Sequence, residues 1–441
     1  MPPGFRPKPR RRALNAGRLE AVAAIAGSLV ATRETLRRAQ RRRRDARRGY
    51  VVPPDIPVGS EEYLRAVEAV TGAPVAPGNR IQTLVNGDEV FPVLLDTIRS
   101  AERTVNLLTY IYWAGEIAEE VGDALCERAS AGVECNVLLD AIGASRIDRP
   151  LIDRMQAAGV RVEFFRPVKH ITMGRVNHRT HRKVLVVDGR VAMTGGVGIA
   201  DQWTGDAQDP EHWRDSHFRV EGPVVNGLHA AFAENWLETT GVYLAGDRWL
   251  PPVEPFEDGA PMQVVRSTAG HGATDVETLF FLALRSARIS IRLTSAYFVP
   301  RPAFVEELTR AARRGVSTQV LVPGPHADKR LVRAAGCTCY RPLLEAGVRI
   351  FEYQPTMMHA KALVVDGAWS AIGSVNYDAR SFELNDEVVL CVQDRGFAEG
   401  LDAVFAADLE RSREVDLEEW VRRPALQRVE EHVSRILKGQ A

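Results

Sequence analysis

Beyond Pro53-Pro54 the apolar positions follow two alternating rhythms. Residues 104–112 are a nearly unbroken apolar run, the pattern of a strand covered on both faces. Residues 117–131 follow with Ile117, Val121, Leu125 and Ala129 at helical spacing, and 133–140 is a second strand-like run. Alternation of this kind predicts α/β layers around a sheet, not a sandwich or a bundle.

The series then comes round again. Ser100-Ala101 leading to Tyr112 is echoed by Ser286-Ala287 leading to Tyr297, and Gly132-Val133 with Val137-Leu138 by Gly315-Val316 with Val320-Leu321. Ala158-Gly159-Val160-Arg161 recurs as Ala346-Gly347-Val348-Arg349. Offsets of 178 to 188 residues exceed the roughly 20–50 of a solenoid, so the chain is an internal duplication. The expected division is a first half at 51–246, a connector at 247–260 carrying Pro251, Pro252 and Pro255, and a second half at 261–412. Residues 413–441 read as a helical extension broken at Pro424.

With 441 residues, 45% apolar and 26% charged, the chain has the composition of a globular protein and excludes a disordered, collagen-like or polytopic membrane class. Five cysteines make no disulfide framework, and Cys337 and Cys339 lack a second pair at zinc spacing, so a reducing compartment and no structural metal are expected. The net charge of zero conceals a division. Residues 1–50 hold 15 basic against three acidic residues, a charge of +12, which leaves −12 on residues 51–441. An acidic body argues against an extended nucleic-acid surface. The first 50 residues read as a basic tail or a membrane-surface helix, since the uncharged stretch at 21–32 is too short to span a bilayer.

One landmark of the duplication carries chemistry. His181-x-Lys183-x4-Asp188-Gly189 and His359-x-Lys361-x4-Asp366-Gly367 are two copies of one motif, offset by 178. On a strand, residues i and i+2 face the same way, which points each histidine and lysine together. The lysine offers charge to phosphoryl oxygens and the imidazole a nucleophile or a proton near neutral pH. Asp188 and Asp366, each just before a glycine, read mainly as turn residues bonding backbone. His170 and His178 read as loop histidines, and Tyr110, Tyr112 and Tyr297 end equivalent strands, at least two of them expected in the core. Residues 203–213 form a loop long enough to act as a lid.

The doubled motif resembles the signature of the phospholipase D superfamily, over residues 80–412 or so. Gly373-Ser374-Val375-Asn376 and Asn385-Asp386-Glu387 are similar to that family's phosphate-binding and histidine-orienting segments, with Gly195-Gly196-Val197-Gly198 and Trp213-Arg214-Asp215 at the corresponding places in the first half. One departure stands out: Asn376 fits the family pattern and Gly198 does not. Within the superfamily, Tyr297-Phe298-Val299-Pro300 and Arg380-Ser381-Phe382-Glu383-Leu384-Asn385 resemble the bacterial cardiolipin synthase branch.

The resemblance implies two α/β/α halves with mixed sheets packed about a pseudo-two-fold axis. It implies a catalytic set of His181, Lys183, Asp188, His359, Lys361, Asp366, Asp215 and Glu387, with Asn376, Ser374 and Gly196 binding substrate. The pairing of acids to histidines is expected to be crossed, Glu387 to His181 and Asp215 to His359. No cofactor and no metal are implied. The expected activity is transfer of a phosphatidyl group between phosphatidylglycerol molecules through a phosphohistidine, by a monomeric unit on the cytoplasmic face of an anionic membrane. A hydrolytic phospholipase D, a nuclease and an idle lipid-binding scaffold are the competing readings.

Overall fold

The computed structural model describes residues 56–167, 177–269 and 275–423. The basic tail, His170 and the extension from Pro424 onward lie outside the described residues. The first half contributes β1 (Ala76–Val85), β2 (Thr104–Thr109), β3 (Glu134–Asp140), β4 (Arg161–Phe165), β5 (Arg179–Thr180), β6 (Val184–Val187), β7 (Val191–Gly195) and β8 (Ser216–Glu221). The second contributes β9 (Ala260–Ser267), β10 (Ser290–Thr294), β11 (Ser317–Pro323), β12 (Arg349–Tyr353), β13 (Ala362–Val365), β14 (Trp369–Gly373), β15 (Asn385–Val392) and β16 (Ser412–Glu414).

Strand order makes the duplication explicit. Outward from the middle, one side runs β1-β8-β7-β6-β2-β3-β4 and the other β9-β15-β14-β13-β10-β11-β12, with β16 added at the edge. In each half the outer three strands are parallel and the inner ones antiparallel. The two mixed sheets are continuous, because β1 pairs antiparallel with β9, Ala76 opposite Met262 and Asn79 opposite Ala260.

All six residues of β2 are buried, as its apolar run requires of a strand covered on both faces. Val105 and Leu107 pack outward with Val137 and Leu139 of β3 and with Ile117, Val121 and Leu125 of helix Glu116–Ser130. Leu108 and Leu138 point inward, following the period of two. The inner layer belongs to both halves at once: Val184, Val186, Phe218 and Trp236 share a cluster with Val364, Ile372, Val388 and Leu390. The described residues accordingly form one compact unit. The expected helix at the start of the extension is Leu417–Arg422, ending before Pro424.

The two halves exchange backbone bonds where the motifs begin. Two-residue β5, just before His181, pairs with the start of β15, Arg179 opposite Asn385 and Thr180 opposite Asp386. Arg214, just before Asp215, bridges Met358, just before His359. Each motif histidine is thus seated on the other half's acidic segment.

Candidate active site

The sequence places the motif histidines on strands. In the structure they lie just ahead of β6 and β13, on extended backbone outside the ladder. The reason is the cross-half seating: the His181 N–H donates to the Asp386 carbonyl at 2.9 Å, and the His359 N–H to the Arg214 carbonyl at 2.7 Å. The next residue in each acceptor segment is a carboxylate, and it meets the ring. His181 Nδ1 lies 3.1 and 3.2 Å from the two oxygens of Glu387, and His359 Nδ1 2.7 Å from Asp215 Oδ2. The pairing is crossed.

Alternation along the extended segment then turns Lys183 toward the histidine side and Arg182 away. Lys183 Nζ donates to the His181 carbonyl at 3.0 Å. Lys361 Nζ donates to the His359 carbonyl and lies 2.9 Å from Nδ1 of the same ring. Arg182, fully buried, donates to the Glu387, Ala231 and Ser267 carbonyls and pins the seam between the halves. Arg214 does the same from the other side with a bidentate pair to Asp408, both contacts at 2.8 Å. Neither arginine's role nor that of Asp408 was legible beforehand, since partners 194 residues apart leave no local pattern.

The charges form one buried group. Burial lowers both imidazoles below the ordinary histidine value, His359 to about 3 with the Lys361 ammonium acting in the same direction. At His181, Glu387 opposes that shift. Burial also brings Lys183 down to about 7, with repulsion from Lys361 adding to it, and Lys361 to about 8 against the pull of Asp215 and Glu387. Each lysine's field reaches the other half's histidine. Burial alone would raise the two carboxyls. Lys361 and His359 overcome it at Asp215, and His181, Ser374 and Lys183 at Glu387, so both stay below the usual carboxylate range. A proton on each Nδ1, shared with an ionised carboxylate, leaves Nε2 as each ring's acceptor, and at His359 that nitrogen lies 3.2 Å from Lys361 Nζ.

Several expected site residues stand elsewhere. The carboxylates of Asp188 and Asp366 accept backbone N–H groups of residues 102–104 and 288–290, sewing the motif turn to the start of β2 and β10. Seven residues of extended chain, roughly 20 Å, separate them from the histidines. They are removed from the catalytic group and keep the turn role. Ser374 does not face substrate: its hydroxyl donates to Glu387 Oε2 at 2.5 Å. Gly196 is required by volume, since a Cβ there would stand 2.1 Å from Asp215 Oδ1. Asn376 is buried and its side-chain oxygen has no protein partner, and of its side-chain atoms only the NH2 group can donate to a phosphoryl oxygen.

The tyrosines divide differently from the expectation. Only Tyr112 is core, its hydroxyl donating to the Ala118 carbonyl. Tyr110 packs edge-on against His181 with centroids 5.2 Å apart, and Tyr297 against His359 at 6.2 Å. Residues 203–213 are a fixed wall and not a lid. Trp203 is buried, Trp213 packs on the His359 ring at 5.5 Å, and Arg411, Thr356 and Asp88 bond the backbone between them.

Comparison with known proteins fits this geometry. Among solved structures, phosphatidylserine synthase from Haemophilus influenzae Rd KW20 superposes with a TM-score of 0.64 at 13% identity, covering 86% of this chain and 97% of that one. Polyphosphate kinase from Porphyromonas gingivalis gives 0.53 at 13% identity, covering 89% and 57%. At such identities the likeness is one of fold. The duplicated sheet and the doubled His-Lys centre define a phospholipase D-like protein.

Residues 94–216 and 281–409 match the family model described as cardiolipin synthase, PLD-like domain. A cardiolipin synthase of Geobacillus sp. strain WCH70 is 32% identical over 386 residues, 87% of this chain and 77% of the relative. Cardiolipin synthase A of Pseudomonas syringae pv. syringae B728a is 33% identical over 390 residues, 86% and 79% respectively. The chain belongs to the cardiolipin synthase family.

Proposed function

We propose that the chain is a phosphatidyltransferase that joins two phosphatidylglycerol molecules into cardiolipin and releases glycerol. The observation that carries this reading is the crossed pairing: each half supplies one histidine and the carboxylate that orients the other half's histidine. A neutral imidazole at His181, a second at His359 that takes up a proton when substrate binds, and two buried lysines suit a two-step displacement at phosphorus.

His181 Nε2 attacks the phosphorus of the donor lipid, the P–O bond to glycerol breaks, and His359 gives its proton to the departing alkoxide. A phosphatidyl group is then bound to His181. In the second step His359 takes the proton of an incoming lipid hydroxyl, whose oxygen displaces His181 from phosphorus. Lys183, Lys361 and Asn376 offset the charge on the non-bridging oxygens. The shorter carboxylate bond, 2.7 Å at His359, favours that ring as the proton carrier, because it stabilises an imidazolium better. In the free site burial, with the Lys361 ammonium adding to it, keeps the ring deprotonated. A bound phosphodiester offsets the lysine charge, and His359 then takes up from solvent the Nε2 proton that it gives to the alkoxide.

One chain holds both histidines, so a monomer is a complete catalytic unit. Among the described residues no helix is long and apolar enough to cross a membrane. We place the protein on the cytoplasmic face of an anionic membrane, held there by the +12 charge of residues 1–50. The acidic remainder disfavours nucleic acid as substrate.

The test is incubation of the purified full chain with phosphatidylglycerol vesicles, with products resolved by mass. Cardiolipin with glycerol is the expected result. Phosphatidic acid alone would assign a hydrolase, and inertness to lipid with cleavage of single-stranded DNA would assign a nuclease. Deleting residues 1–48 is expected to weaken binding to anionic vesicles while sparing activity on detergent-dispersed lipid.

A further inference from the structure

The two half-sites are related by the duplication but differ in chemistry. At the offset of 178, Ser374 corresponds to Gly196 and Asn376 to Gly198. The second half therefore has a hydroxyl on its carboxylate and a side-chain amide, and the first half has neither. The space is not empty. A Cβ at Gly198 would lie 3.2 Å from the Trp203 ring and 2.9 Å from Ile111 Cβ, so the indole occupies the volume that an asparagine would need.

We propose that Trp203 is a positioning residue for the acid–base histidine: its indole N–H holds Asp215, and through it His359, as Ser374 holds Glu387 for His181. The indole Nε1 donates to Asp215 Oδ2 at 2.8 Å, and the same oxygen accepts from His359 Nδ1 at 2.7 Å. The other oxygen accepts the Ser216 N–H at 2.8 Å, so the carboxylate is fixed at both ends. The face of His359 is set as well, by edge-on contact with Trp203 at 5.2 Å.

The donor sits on a rigid platform. Trp203 ends the short 3-10 turn Asp201–Trp203 and is 2% exposed. The Asp201 carboxylate accepts the Glu116 and Ile117 N–H groups at the start of helix Glu116–Ser130. Trp213, 4.6 Å from Trp203 between ring centroids, donates its backbone N–H to the Gln202 carbonyl at 2.6 Å. An indole N–H can only donate, so its place on an ionised carboxylate is a charge-assisted bond. Packing alone would be met by any ring of this size.

The inference rests on the reading of His359 as the acid–base group. Its test compares Trp203→Phe with replacement of Trp203 by β-(3-benzothienyl)alanine, an isostere in which sulfur replaces N–H, in the full chain. The rate is followed as consumption of phosphatidylglycerol, whatever the product. Loss of a bond to a charged group lowers kcat about tenfold to a hundredfold in both variants, with KM unchanged. Asp215 loses one of several groups that hold it ionised, so it stays a carboxylate in both variants and the readout is the split between kcat and KM. His359 and Lys361 across the seam, Lys183, and His217 on the Asp215 strand also face that carboxylate and are the same in both variants.

An isostere with the wild-type kcat would overturn the proposal, as would a rise in KM alone. If Trp203→Phe fails to fold, the isostere decides. Wild-type enzyme releasing only phosphatidic acid would overturn the transferase reading and leave the Trp203 comparison standing.

Discussion

Replacing Gly196 by alanine adds one methyl group beside a catalytic contact, and its consequence can be worked from the geometry. Gly196 has no left-handed backbone torsion, so alanine meets no conformational penalty and the effect is steric. Its Cβ would stand 2.1 Å from Asp215 Oδ1 and 2.7 Å from Cγ. Relief of that overlap requires the carboxylate to withdraw by about 1 Å, given carbon contacts near 3.5 Å. The carboxylate then leaves the position from which it makes its 2.7 Å bond to His359. A displacement of about 1 Å at a reacting group costs about a hundredfold in rate. Loss of a bond to a charged group, about 1.5–3 kcal/mol, gives a similar figure.

The fold should lose only about 1–3 kcal/mol to overpacking. The assay is the initial rate of phosphatidylglycerol consumption beside a denaturant titration of the same preparation. Gly400→Ala is the control: it lies in helix Arg395–Glu410 with nothing within 4 Å of the added Cβ, and should gain about 0.5–1 kcal/mol at an unchanged rate. A folded Gly196→Ala enzyme turning over at the wild-type rate would refute the placement of Asp215 behind His359.

Three further outcomes are expected. Asp408→Ala leaves the Arg214 guanidinium buried without its partner and should cost about 3–5 kcal/mol in a denaturant titration, more than any surface ion pair. Because burial holds Lys183 at about 7 and Lys361 at about 8, raising the pH discharges both in the free enzyme; kcat/KM should fall through that window while kcat at saturating lipid changes less. Gly198→Asn, which restores the residue the family pattern leads one to expect, should lower activity in steady-state assays, since its Cβ meets Ile111 at 2.9 Å and the Trp203 ring at 3.2 Å.

The fold was legible wherever the chain signals itself locally. The apolar run at 104–112 and the helical spacing after it appear within a few residues as β2 and helix Glu116–Ser130, and the 178-residue offset appears as two strand orders of one pattern. His181, Lys183, His359 and Lys361 were legible because the motif is contiguous. The acids followed from the resemblance, not from spacing, because Glu387 and Asp215 reach the rings only across the seam. Trp203 was missed, although two glycines at the places of Ser374 and Asn376 signal that something else must fill the volume. Motif membership misled for Asp188 and Asp366, whose carboxylates serve backbone turns far along the strand. The Arg214–Asp408 clasp left no sequence trace, because its partners come from opposite halves.

The central claim is that the two histidines divide the work at one phosphorus, His181 bonding to it and His359 moving the proton. An activated phosphatidyl ester with a nitrophenol leaving group needs no general acid, so it isolates the first step. Rapid quench of the full chain into alkali, followed by peptide mapping by mass, locates the adduct. The expected result is a phosphatidyl or phosphoryl adduct at residue 181 that accumulates in His359→Asn and is lost in His181→Asn. An adduct at residue 359, or one that persists in His181→Asn, would contradict the assignment.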